Sequence, residues 1–180
     1  MRESASNERF QPVDAPVRLD VLPPRHVQHL TSYHPDVARG GQSRHFGVHT
    51  LPGRVGLVHA GQPRVLCLGP GEWWLVHGDG RQAHHSASAT STVEDGWVLT
   101  DLSAGESVLG LSGPNVRRVL SRGCSLDLDV NVFPANRCAR TRFAQISVVM
   151  DFIQSPDRFE LYVARSLSAY LFDWLKDALE

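Results

Sequence analysis

The chain has 180 residues, a length that suits one domain or two small lobes around a core that needs no disulfide or metal staple. Its 18 basic and 19 acidic residues leave a net charge of −1, which excludes the basic footprint of a nucleic-acid or membrane-surface protein. No apolar run approaches the roughly 18 residues of a membrane-spanning helix, and the polar stretch Met1–Phe10 lacks the apolar centre of a signal peptide, so a soluble, cytoplasmic protein is expected.

Residues 1–16 read as a flexible N-terminal segment, followed by one α+β domain over 17–180 with two lobes, about 17–92 and 93–180. Val17–Leu22 alternates apolar and polar residues, the period of a half-buried strand. Pro23-Pro24 stops it, and Val27 and Leu30, three apart, suggest a short helix from about Pro24 to Tyr33. Residues 39–63 carry six glycines and two prolines and read as loop with short extended pieces. Arg64–Leu68 and Glu72–His77, joined by Gly69-Pro70-Gly71, form a strand–turn–strand signal. Because adjacent strand residues face opposite ways, one of Trp73 and Trp74 is expected in the core and the other toward solvent or a partner. The small polar stretch Arg81–Thr92 lacks the apolar face of a docked helix.

Trp97–Leu102 and Ser107–Leu111 read as strands. Ser112-Gly113-Pro114 then supplies a cap and a first-turn proline for a helix with Val116, Val119 and Leu120 on its apolar face and Gly123 as its stop. After a loop over 124–137, Cys138–Phe152 reads as one long strand, Ser155-Pro156-Asp157 as a turn and Arg158–Val163 as its antiparallel partner. Ser166 caps a last helix whose stripe of Leu167, Tyr170, Leu171, Trp174, Leu175, Ala178 and Leu179 suits docking on a sheet. The fold class expected is α+β: antiparallel sheets and hairpins with helices packed on one face.

Chemistry is harder to find. The three cysteines, Cys67, Cys124 and Cys138, form no C-x-x-C pair, and Cys67 sits in an apolar strand as a small core residue would. Of nine histidines, His26, His29, His34 and the pair His84-His85 are the closest to metal-ligand spacing, but no ligand motif accompanies them and they read as surface or loop imidazoles. Asp127 and Asp129 read as a solvated loop rather than an acid/base pair. Arg137, Arg140 and Arg142 form a basic cluster at a strand start that could meet an anionic partner. No phosphate-binding, dinucleotide-binding or nucleophile-elbow motif occurs. No catalytic, cofactor-binding or metal-binding residue is assigned.

Four stretches resemble the gamma subunit of heterotetrameric sarcosine oxidase: Leu68-Gly69-Pro70-Gly71-Glu72-Trp73-Trp74-Leu75; Thr100-Asp101-Leu102-Ser103 with Leu109-Gly110-Leu111-Ser112-Gly113-Pro114; Gly123-Cys124-Ser125-Leu126-Asp127-Leu128 with Phe133-Pro134 and Cys138-Ala139-Arg140-Thr141; and Phe159–Ser166 with Tyr170, Trp174 and Leu175. They cover about residues 64–180. That family is in turn similar to the aminomethyltransferase of glycine cleavage, which implies an aminomethyltransferase-like folate-binding fold. Two departures from the larger enzymes stand out. Ala104 replaces the His of their Asp-Val-Ser-His, and Phe143–Val149 lacks the segment that carries their catalytic aspartate.

The resemblance implies a non-catalytic gamma-type subunit that supports assembly of a flavin-dependent N-methyl amino acid oxidase or demethylase. That enzyme turns sarcosine into glycine and passes the one-carbon unit to tetrahydrofolate. The partners implied are alpha, beta and delta subunits, which hold FAD, FMN, NAD, tetrahydrofolate and zinc. Trp73, Trp74, Arg137, Arg140 and Arg142 are the expected partner interface. The alternative reading is a stand-alone folate-binding module or weak aminomethyltransferase. A third, an iron–sulfur assembly factor of the same fold, is opposed by Arg122-Gly123-Cys124-Ser125-Leu126-Asp127, which keeps only Gly-Cys of that family's Lys-Gly-Cys-Tyr-x-Gly-Gln.

Overall fold

The computed structural model describes residues 17–34, 44–47, 49–79, 92–94, 96–154 and 157–180. The N-terminal segment 1–16, His84-His85 with most of the 81–92 stretch, and the turn at 155–156 lie outside the described residues. Two antiparallel sheets stack face to face. The first has the order β1 (Arg18–Val21), β10 (Glu106–Ser112), β13 (Arg158–Ala164), β12 (Ile146–Gln154), β11 (Arg137–Phe143). The second runs β5 (Val58–His59), β6 (Arg64–Gly69), β7 (Glu72–Asp79), β2 (Arg25–Ser32), β9 (Trp97–Asp101), β8 (Thr92–Glu94). A hairpin of β3 (Arg44–Phe46) and β4 (His49–Leu51) lies outside both. The second sheet is thus inserted between β1 and β10, which are neighbours in the first. Two helices, α1 (Val116–Leu120) and α2 (Ser168–Leu179), complete the elements among the described residues. The α+β class and the helices on one face are as expected, and none of the described helices is long and apolar enough to cross a membrane.

Three apolar layers hold these elements together, and strand alternation assigns residues to them. Leu109, Leu111, Val148, Met150, Phe152, Phe159, Leu161 and Val163 pack against Val116 and Leu120 of α1 and Leu171 and Leu175 of α2. The intervening residues Val108, Val149 and Tyr162 face the second sheet, where Val27, Leu66, Trp74 and Val76 meet them. On the far face of that sheet, Leu30, Val65, Trp73 and Leu75 are covered by Leu51 and Phe46 of the hairpin. Each large side chain so buried contributes about 1.5–3 kcal/mol.

This layering overturns several expectations. The segment expected as a helix from Pro24 to Tyr33 is strand β2, paired with both β7 and β9. Val27 and Leu30 are three apart because they point to opposite faces of a sheet buried on both sides, a spacing that also fits one face of a helix. For the same reason neither tryptophan looks outward. Trp73 is 3% exposed and Trp74 5%, with the Trp73 indole N–H donating to the Pro52 carbonyl at 2.9 Å.

Cys138–Phe152 is two strands rather than one. The chain reverses at Ala144-Gln145, both with positive φ (45° and 73°), a conformation usually taken by Gly or Asn. Tertiary contacts hold the reversal: the Ala144 N–H donates to the Gly123 carbonyl at 2.8 Å, and its own carbonyl accepts from the Tyr170 hydroxyl at 2.7 Å. β9 and β10 lie in different sheets, so the turn between them is a crossover. The helices begin after Asn115 and Leu167 rather than at Ser112 and Ser166, and a short 3-10 turn, Arg165–Leu167, precedes α2. The 124–136 loop is organised by Arg117, which pairs with Asp157 at 2.7 Å, donates to the carbonyls of Leu128 and Phe133, and lies 4.4 Å from the Phe152 ring centroid.

Candidate functional site

Polar chemistry concentrates in the seam between the two sheets. Asp151 on β12 and Glu160 on β13 are the single carboxylates of mainly apolar strands, at 0% and 4% exposure. A buried carboxylate requires a partner, and here both partners come from the opposite sheet. Arg64 of β6 forks onto Asp151, Nε to Oδ2 at 2.6 Å and Nη2 to Oδ1 at 2.8 Å, and reaches the Asn136 side chain at 3.0 Å. Arg25 of β2 donates to Glu160 Oε1 at 2.9 Å, and the Tyr162 hydroxyl donates to Oε2 at 2.8 Å. Arg158 shares Oε1 at 3.2 Å. Burial pushes the Asp151 carboxyl above the usual carboxylate range, Glu160 across the ladder adds to this, and Arg64 reverses only part of it. Burial also holds the Tyr162 hydroxyl well above its ordinary value.

The same seam is polar at its other end. The Glu72 carboxylate accepts from Arg140 Nη2 at 2.7 Å and contacts His29 Nε2 at 3.0 Å. Burial lowers His29 from the ordinary histidine value, outweighing Glu72. Glu106, at the start of β10, is pushed up by burial, with Arg140 opposing. On the far face of the second sheet, the His26 and His77 rings lie 4.7 Å apart between centroids at a tilted 41°, and His77 also contacts Gln28 at 3.1 Å.

Several titratable groups among the described residues are already engaged or protonated. Burial pushes the Cys67 thiol up to about 11 and raises Cys138 further, so neither is a thiolate near neutral pH. Both oxygens of Asp151 are taken by Arg64, and both of Glu160 by Arg25, Arg158 and Tyr162, leaving neither to act as a base. Asp101 ends β9, where the Ser103 hydroxyl and N–H bond it and, against a burial effect of opposite sign, hold its carboxyl low. Ala104 beside it is exposed. No group of three or more potential metal ligands converges among the described residues. Asp127 and Asp129 bond to backbone N–H groups of their own loop.

Of the residues expected at a partner interface, Trp73 and Trp74 are core. Arg137 is half-buried at the start of β11, Arg140 bridges to Glu72, and the exposed Arg142 donates to the Gln145 carbonyl at 2.9 Å. Sequence reasoning missed Arg25, Arg64, Asp151 and Glu160. Their signal was present, since a lone carboxylate inside Val-Val-Met-Asp-Phe or Phe-Glu-Leu-Tyr-Val has to find a cation.

The family model for the sarcosine oxidase gamma subunit family matches residues 37–180. The chain belongs to that family. The gamma subunit of sarcosine oxidase from Corynebacterium sp. (strain P-1) is 35% identical over 132 residues, covering 72% of this chain and 64% of that protein. The gamma subunit from an Arthrobacter species is 39% identical over 102 residues, covering 56% and 50%. The chain therefore matches somewhat less than two thirds of the length of these gamma subunits. Among solved structures, a chain of the heterotetrameric sarcosine oxidase from Corynebacterium sp. U-96 in complex with pyrrole 2-carboxylate superposes with a TM-score of 0.69 at 24% identity, over 91% of this chain and 83% of that one. Glycine cleavage system aminomethyltransferase T from Bartonella henselae gives 0.53 at 16% identity, over 88% and 45%. Both likenesses are of fold. They meet the expectation that a gamma-subunit sequence carries an aminomethyltransferase-like architecture.

Proposed function

We propose that this chain is a non-catalytic gamma-type subunit of a cytoplasmic, flavin-dependent N-methyl amino acid oxidase or demethylase acting on sarcosine or a close analogue. Its partners are subunits of alpha, beta and delta type, which carry FAD, FMN, NAD, tetrahydrofolate and zinc. Membership of the gamma family over residues 37–180 is the observation that carries this reading. The side chains fit it: the buried carboxylates pair within the chain and the buried thiols are protonated, so the chain offers neighbours a shape rather than a reacting group. The exposed face of β11 around Arg140 and Arg142, with Arg137 at its start, is one surface for such a neighbour, since arginine is enriched at protein contacts. The test is co-expression with the companion oxidase subunits of the same organism. Co-purification in one complex, together with no turnover of sarcosine by the isolated chain, is expected. A monomer that ignores those subunits, or one that binds tetrahydrofolate in calorimetry and transfers a one-carbon unit alone, overturns the reading.

A further inference from the structure

β1 ends the first sheet, and its outer side has no partner among the described residues. The Leu22 N–H donates to the Val108 carbonyl at 3.0 Å, which fixes the phase of the ladder. In the observed register Arg18, Asp20 and Leu22 turn their backbone groups toward β10, so the N–H and C=O of Leu19 and Val21 point out from the edge. Such a row of unpaired groups is a template for another strand. Native edges are commonly blunted, yet here the outward position carries an apolar side chain, Val21, at 68% exposure.

The other face of the same strand borders a pocket of about 270 Å³ lined by Arg18, Asp20, Leu22, Gly110, Ser112 and Arg158, with Leu111 at its wall. The register lines up Arg18, Ser112 and Arg158 in one row across β1, β10 and β13. Gly110 keeps the floor low, because a Cβ there would meet Leu22 at 3.1 Å. Among the described residues Arg18 pairs only with Asp20, at 2.7 Å, and it is largely exposed. Arg158 is 49% exposed and has one long contact, at 3.2 Å, with an oxygen that Glu160 also gives to Arg25. The Nε and Nη1 donors of Arg158 bond to no described residue, and a carboxylate arriving in the pocket would satisfy them.

We propose that the β1 edge accepts an extended segment of a companion subunit by strand addition. The added strand places an acidic side chain opposite Arg18, where Arg158 also reaches it, and an apolar side chain beside Val21. Main-chain bonds to Leu19 and Val21 supply affinity, and the alternating acidic and apolar positions supply selectivity. This inference rests on the subunit reading above and names a surface on the sheet edge opposite β11.

The test compares the full chain, alone and co-purified with its companion subunits, by hydrogen exchange and by binding of two variants. Val21→Pro removes an outward N–H without touching the ladder bonds to β10. Arg158→Gln removes the pocket charge. The Leu19 and Val21 amides are expected to exchange freely in the isolated chain and at least tenfold more slowly in the complex, with the ladder-bonded Asp20 amide protected in both. Val21→Pro is expected to weaken assembly at least tenfold and Arg158→Gln severalfold. If the complex forms but those amides stay unprotected, or if a folded Val21→Pro chain assembles as the wild type does, strand addition is wrong and the subunit reading stands. If the wild-type chain forms no complex, both are wrong. Protection already present in the isolated chain, at the mass of a dimer, overturns the proposal in favour of a second copy on the edge.

Discussion

Asp151 and Glu160 are direct cross-strand neighbours on β12 and β13, and both turn their carboxylates into the dry seam between the sheets. Two like charges in that position repel each other and are costly to desolvate. Each is met by an arginine from the facing sheet, Arg64 and Arg25, so the two pairs fix how one sheet sits on the other. Removing one half of such a pair costs far more than the pair contributes.

Arg64→Met should therefore destabilise the fold by about 3–5 kcal/mol, because it leaves the buried Asp151 uncompensated. The double variant Arg64→Met/Asp151→Leu should recover most of that loss. Urea unfolding of the two variants beside the wild type reads the difference. A single variant as stable as the wild type would mean that the pair does not hold the seam.

Gly123 lies under the Phe143 ring, and a Cβ there would sit 2.4 Å from Cζ. Phe143 is itself fully buried and meets Trp174 edge-on at 5.0 Å, so it has little room to yield. Gly123→Ala should cost about 1–3 kcal/mol by overpacking. Gly78→Ala, where a Cβ meets nothing within 4 Å, serves as the control and should leave the thermal midpoint nearly unchanged.

His29 and His77 are both lowered, chiefly by burial; for His77 the charges of His26 and His49 add to this. The unfolded chain takes up these protons first, so their stabilisation is present above the ordinary histidine value of 6.5 and is lost as pH falls below it. The urea midpoint should drop between about pH 7 and pH 5.5. His77→Gln should flatten that slope. Glu106 and Asp151, both raised, contribute with the opposite sign, so the comparison between variant and wild type is the informative one.

Cys67 and Cys138 are buried free thiols raised by burial, and Cys124 is half-buried and raised as well. At pH 8 the native protein should react slowly with a thiol-specific reagent, Cys124 ahead of the other two. All three should react quickly in denaturant. Rapid native labelling of Cys67 followed by mass spectrometry would contradict the packing of the second sheet.

Most strands were legible because alternation and turn residues are local signals. Arg64–Leu68 with Glu72–His77 could be read around Gly69-Pro70-Gly71, and Arg158–Val163 from its apolar run. The α2 stripe showed itself by its period, although only Leu171 and Leu175 of it are buried. The reversal at Ala144-Gln145 carries no turn residue and exists because Gly123 and Tyr170 bind its backbone from elsewhere in the chain. The expectation that one of Trp73 and Trp74 points outward failed on a similar point, since alternation says that they face opposite ways but not that both sides are covered.

The sequence by itself determined the α+β class, the positions of most strands and, through four matching stretches, the gamma-subunit resemblance, because these depend on neighbours within a few residues or on motif order. Only the tertiary structure decided that β2 is a strand, that the second sheet is inserted between β1 and β10, and that Arg25 and Arg64 neutralise Glu160 and Asp151. Those outcomes depend on contacts between residues 87 and 135 positions apart, as in Arg64–Asp151 and Arg25–Glu160. A side chain's local pattern can state that it needs a partner, but packing chooses which one.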